Sequence, residues 1–408
     1  MQPTSLTRIA GWRAALALTL ASAAALVACG GGGSDAGTPG FDAPVVTASA
    51  NYAEGPISGF GSVVVGGVRY DDSKADVRDD DDASHDRSAL KLGMVVQISA
   101  GAVDRTAGTA TAARVRFGSE TVGPIGAVDI AASTVVVLGQ TVVITANTVF
   151  DSSLAGGLTA LAAKPAGTVV EVHGILDQST GKITATRVEL ESTVTSFKLR
   201  GMVAALDTTA KTFKIGSELI SYSGIATIDV PSNLANGALV RVKLQTTRVA
   251  GAWVATRVRS GVRMHDSSPD AHVEGNITLF TSATNFEING LKVDATNARF
   301  EDGNSGIVLG ARVEVSGSIA GGVLLATKVE IEDRRDGGKR QLELHGDIST
   351  LDVAAKTFVL RAVTVSYAGA VVYKDGVAAN LAAGKRVEVR GVLSSDRTRL
   401  EAQRIEFK

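Results

Sequence analysis

The chain has 408 residues, 45% of apolar type and 20% charged, the balance of a folded chain rather than a disordered one. Lysine and arginine number 41 against 42 aspartate and glutamate, so there is no basic excess to carry nucleic-acid binding. A lone cysteine excludes an intrachain disulfide framework and any CxxC metal or redox motif.

Residues 1–28 carry Arg8 and Arg13, no acids, and an apolar run from Ala14 to Val27 too short to span a bilayer, which predicts a signal peptide. Leu26-Val27-Ala28-Cys29 resembles the bacterial lipobox. That resemblance implies cleavage before Cys29 and a diacylglyceryl group on its thiol, with acyl chains such as palmitate giving a stable membrane anchor. Gly30, where inner-membrane lipoproteins often carry Asp, favours the outer membrane of a Gram-negative cell, facing periplasm or cell surface. Cleavage would leave 39 basic against 42 acidic residues. Residues 29–54, opening with Gly30-Gly31-Gly32-Gly33-Ser34, read as a lipid anchor and flexible tether.

Beyond the tether, three anchors recur five times in one order. The first is a glycine two residues before an aliphatic: Gly55 and Ile57, Gly123 and Ile125, Gly201 and Val203, Gly275 and Ile277, Gly346 and Ile348. The second is a glycine ahead of apolar-polar-apolar alternation, at Gly93, Gly167, Gly237, Gly310 and Gly384. The third is a basic residue before an aliphatic: Arg114-Val115, Arg187-Val188, Arg257-Val258, Lys328-Val329 and Arg404-Ile405. Period-two alternation predicts short strands, and Asn289-Gly290 and Gly66-Gly67 predict two-residue hairpin turns. Leu90, Leu234, Ile307 and Leu381, each three residues before the second-anchor glycine, predict a helical turn capped by that glycine. The second copy has Lys164 there.

The expected architecture is therefore all-β: five tandem antiparallel OB-like barrels of about 70 residues each, in the order strand, strand, strand, helical turn, strand, strand. The boundaries are 55–120, 121–192, 193–262, 270–334 and 340–408, with a β-sandwich or a packed solenoid as alternatives. The pattern Gly-x-Ile, hairpin, Gly-x-x-Val-x-Val-x-Gly, then Ala-Thr-Arg-Val-Glu resembles the bacterial domain-of-unknown-function family 5666, over roughly residues 55–408. That resemblance implies no established activity and carries over no functional residue.

Candidate chemistry is sparse. Asp79, Asp80, Asp81, Asp82 and Asp86 cluster on one predicted loop and could offer oxygen ligands to Ca²⁺, though no EF-hand spacing is present and a solvated acidic insertion is the plainer reading. His265, Asp266, Asp270 and His272 could bind a transition metal from a linker, with a plain polar linker as the alternative. His173 and His345 read as satisfied strand-edge histidines, and Asp333 to Arg340 as a solvated mixed-charge loop rather than a basic recognition strip. Trp253 could stack on a sugar ring but more simply packs in a core. No nucleophile elbow, HExxH pair or phosphate loop occurs. The expected function is a non-catalytic binding or scaffolding module of the cell envelope, for a glycan or a protein and not for nucleic acid, without a cofactor. A calcium-responsive module is the first alternative, and a hydrolase with a site between repeats the second.

Overall fold

The computed structural model describes residues 51–263, 265, 267–332 and 339–408. The expected signal peptide, Cys29 with its lipid, Asp266 and residues 333–338 of the mixed-charge loop lie outside the described residues. The fold is nearly all-β, built from small closed barrels of five strands, and Leu158–Ala162 is the one α-helix among the described residues.

The barrel of residues 121–190 shows the circuit. Thr121–Asp129 runs antiparallel to Thr134–Val137, which runs antiparallel to Gln140–Phe150. The third strand then pairs in parallel with the last, Ile183–Leu190, whose antiparallel partner Val169–Leu176 returns to the first and closes the ring. The same circuit runs through residues 51–117, 197–260, 268–331 and 342–407.

All three sequence anchors turn out to be closure devices. Each second-anchor glycine sits at φ between 80° and 87°, in the left-handed region that favours glycine. It is the third residue of a four-residue turn, as in Lys91-Leu92-Gly93-Met94, where the Met94 N–H donates to the Lys91 carbonyl at 3.2 Å. Its own N–H donates to the first-anchor aliphatic: Gly93 to Ile57 at 2.9 Å, Gly167 to Ile125 at 3.2 Å, Gly237 to Val203 at 2.8 Å, Gly310 to Ile277 at 2.9 Å and Gly384 to Ile348 at 2.8 Å. The glycine thus opens the fourth strand and does not cap the helical turn, which lies earlier, at Arg87–Ala89 or Ala378–Asn380 for example. The third anchor marks a register shift in every closing hairpin, as between His173 and Gly174 against Arg187 and Ala185.

Inward positions are aliphatic, with one large ring fully buried per barrel: Tyr70, Phe150, Phe213, Phe286 and Phe358. Each buried valine, leucine, isoleucine or phenylalanine contributes about 1.5–3 kcal/mol, which lets so few aromatics suffice. Leu90, Ile307 and Leu381 are buried as expected and Leu234 partly so. Asn289 and Gly290 take φ of 53° and 87°, the values a two-residue hairpin with primed geometry demands.

The barrels join through their first strands. Tyr52–Glu54 pairs in parallel with residues 271–273, Gly59 and Phe60 pair in parallel with Glu343 and Leu344, and residues 121–122 pair with 198–199. A side chain at Gly59 would collide with the Glu343 carbonyl oxygen. The tether expected to reach Glu54 therefore ends by Asn51, where the buried strand Asn51–Pro56 begins. Composition could not reveal this, because the strand pairs with Val95–Ala100 and with residues 271–273, both remote in sequence.

Candidate functional site

Charged side chains concentrate where barrels meet. On the 197–260 barrel three adjacent strands place Lys198 opposite Lys243, Lys243 opposite Arg257, Arg200 opposite Arg241 and Arg241 opposite Arg259. Like charges directly across a sheet repel, and the acidic loop of the 51–117 barrel lies over this cationic grid. Asp80 meets Arg241 at 2.6 Å and Lys198 at 3.1 Å, while Asp81 meets Arg257 at 3.2 Å, Arg241 at 3.5 Å and Lys243 at 3.6 Å. Against the opposing effect of burial, Arg241, Lys198, Lys243 and Arg257 hold the Asp81 carboxyl below the usual range. Asp82 pairs with Arg116 at 3.3 Å, and Asp79 ties the loop internally through the Asp81 and Ala83 N–H groups and His85. Asp86 stands apart, accepting from the Ser88 N–H at 2.8 Å. The five aspartates thus do not converge on one point; Asp80, Asp81 and Asp82 face guanidinium and ammonium groups.

Beneath this contact lies a cavity of about 170 Å³, lined in part by Ser119, Arg200, Gly261 and Arg263. Glu54 and Glu120, both fully buried, are bridged by Arg263, at 3.3 Å and 2.8 Å. Arg200 adds 2.8 Å to Glu120, and Tyr52 and His265 reach Glu54 at 2.6 Å and 3.0 Å. Although burial opposes ionisation, His265 and Arg263 hold Glu54 far below the carboxylate range.

The two linker histidines go separate ways. His265 joins Glu54, whereas His272 places Nδ1 3.1 Å from the Ser316 hydroxyl and Nε2 3.4 Å from Glu314; Asp270 pairs with Arg105 at 2.7 Å. The Ser316, His272 and Glu314 alignment has the composition of a hydrolytic triad. Burial lowers the affinity of His272 for a proton, but Glu314 and Glu274 outweigh it and raise its pKa. The ring is nonetheless turned the opposite way from such a triad, with Nδ1 toward the hydroxyl and Nε2 toward the carboxylate. Trp253 is buried, its indole N–H donating to Glu218 at 2.7 Å and its ring covered by Arg248, so it offers no sugar platform. His345 is half-buried with Nε2 unbonded, its pKa lowered by burial and by Arg386.

A cluster that the sequence reading missed lies on the 121–190 barrel. Glu171, His173 and Glu189 bring one ligand atom each to within 4.8 Å of one another. Glu171 and His173 share a face of one strand, and Glu189 is directly opposite Glu171 on the next. The available signal was the Glu-x-His spacing followed, in the same hairpin, by a glutamate.

The outward pattern and closure devices recur in the segments that a family model recognises. Residues 122–189, 274–330 and 345–406 match the domain of unknown function DUF5666. The chain carries repeats that resemble DUF5666. The acidic loop and the cationic grid both fall outside the segments matched to DUF5666. No curated protein matches the chain. Among solved structures, drosophila Unr CSD456 is similar over 43% of this chain and 79% of its own, at 16% identity and a TM-score of 0.14, a superposition that says nothing about fold or function.

Proposed function

We propose that the folded part is five OB-like units forming a rigid, non-catalytic binding or scaffolding module of the cell envelope. In this reading it is held to the outer membrane of a Gram-negative cell through acylated Cys29. The OB-like assignment is supported by the strand circuit, in which the third strand pairs with the fifth and a helical turn precedes the fourth. The scaffolding role rests on one observation: the charges most concentrated on the barrels are matched by neighbouring barrels, as Asp80 and Asp81 are by Lys198, Arg241, Lys243 and Arg257. Such matching fixes the barrels relative to one another, so that their remaining outer faces and loops can hold an envelope glycan or protein in constant geometry.

A thermal-shift panel on the full chain with envelope glycans, Ca²⁺ and oligonucleotides tests the binding role, since a ligand of the folded state raises Tm. A shift with glycan alone supports it, and one with oligonucleotide refutes it. A Ca²⁺ shift that vanishes when Asp79 to Asp82 become Asn would favour the calcium-responsive module instead. Mass spectrometry of Cys29 tests the anchor. The Ser316, His272 and Glu314 alignment is the observation that favours a hydrolase; we expect no labelling of Ser316 by a fluorophosphonate, and labelling lost in Ser316→Ala would establish that alternative.

A further inference from the structure

Strand alternation puts Glu171 and His173 on the outer face of Val169–Leu176, yet the His173 ring is wholly buried. Its Nδ1 lies 3.2 Å from the Gly118 carbonyl oxygen. A carbonyl only accepts, so Nδ1 carries a proton and the opposite nitrogen points the other way. That nitrogen, Nε2, is buried without a hydrogen-bond partner. It stands 3.6 Å from Glu189 Oε1 and 3.7 Å from Glu171 Oε1, too far for good hydrogen bonds. Those separations are close to the edge of a tetrahedron drawn around an ion with bonds of ~2.0–2.1 Å, which is about 3.4 Å.

The surrounding contacts orient the same three atoms. Glu189 uses its other oxygen, Oε2, to accept from Lys91 at 2.8 Å and Arg187 at 2.9 Å, which leaves Oε1 turned toward His173. A histidine whose far nitrogen donates to a carbonyl, beside a carboxylate whose far oxygen is held by cations, is the outer-shell arrangement of ligated residues. Glu171, a fifth exposed, provides the side from which solvent and an ion can enter.

We propose that Glu171, His173 and Glu189 form a site for a divalent transition metal of the zinc class, with one nitrogen and two oxygen donors and a fourth position open to water. The 342–407 barrel supplies an internal control: Glu388 faces Glu406 across the equivalent hairpin, but Arg390 stands where His173 stands, so that hairpin has no histidine donor.

The test uses the full chain, stripped with a chelator and then titrated with Zn²⁺ or Co²⁺ alone. The expected result is one ion per chain by native mass spectrometry, with visible ligand-field bands of four-coordinate Co²⁺. Glu171→Gln, a half-buried and nearly isosteric change, should weaken Zn²⁺ binding by about tenfold or more, and His173→Gln should abolish the cobalt bands. Should His173→Gln fail to fold, Glu171→Gln alone decides. Failure to bind stoichiometric metal, with ¹⁵N NMR showing both His173 nitrogens protonated, would overturn the proposal in favour of an imidazolium between two carboxylates. Binding unchanged in both variants would overturn it equally.

Discussion

The 121–190 and 197–260 barrels share one circuit and one set of closure bonds, yet they carry opposite charge on the same outward positions. Where one has Glu171, His173 and Glu189, the other has Arg241, Lys243 and Arg259. Their inward residues are interchangeable in kind: Val170, Val172 and Val188 against Val240, Val242 and Val258, all buried. The comparison teaches that closure and core specify the barrel, while the outward face is free to take whichever charge its neighbour can answer. The cationic face is answered by Asp80 and Asp81, and on the acidic one Glu189 is answered by Lys91 while the Gly118 carbonyl accepts from His173.

The sharpest way to break this comparison is at the residue joining the two barrels. Glu120→Ala leaves Arg200 and Arg263 buried without their shared carboxylate and should destabilise the chain by about 3–5 kcal/mol in urea unfolding. A loss under 1 kcal/mol would mean that the buried pairs do not couple the barrels. Next come the closure glycines. Gly167 and Gly237 have open space where a side chain would go, so alanine there tests backbone strain alone. Each substitution should cost about 1–2 kcal/mol, and unequal costs would contradict a common closure.

Removing the counter-charges should matter less. Asp80→Asn with Asp81→Asn should lower stability by about 1 kcal/mol at low salt, and the loss should disappear near 1 M salt, because these pairs are partly open to solvent. A loss that persists in salt would show that shape rather than charge docks the loop. The smallest effect is the acid limb of Asp81. Its carboxyl is held below the ordinary 3.8 by Arg241, Lys198, Lys243 and Arg257 against the pull of burial. Its contribution is therefore present above the unfolded value and is lost as pH falls through the lowered one. The Tm difference between wild type and Asp81→Asn should shrink along that limb.

Most of the barrel was legible because its rules are local. Positive φ at Gly93 or Gly384, primed turns at Asn289-Gly290, and alternation in Val313-Glu314-Val315 each depend on residues a few positions apart. The arrangement between barrels was not legible. Asp81 and Arg257 are 176 positions apart, and no spacing rule links them. The Glu171, His173 and Glu189 cluster stood between these cases. Its strand partners are local, but the contacts that orient it, from Gly118 to His173 and from Lys91 to Glu189, come from 55 and 98 positions away. Glu54 was read as tether for the same reason, since Arg263 and His265 bury it from 209 and 211 positions away.

The first strand of the 51–117 barrel also sets a schedule for the chain. Its edge is completed in parallel by residues 271–273 and 343–344, segments synthesised long after it. Domains generally fold as units, so this barrel can close by itself while one of its backbone edges waits for partners more than two hundred residues downstream. An unpaired strand edge is a template for wrong partners. Until the last barrel arrives the first barrel is thus the one with an open edge, and its completion makes folding of the two ends of the chain interdependent.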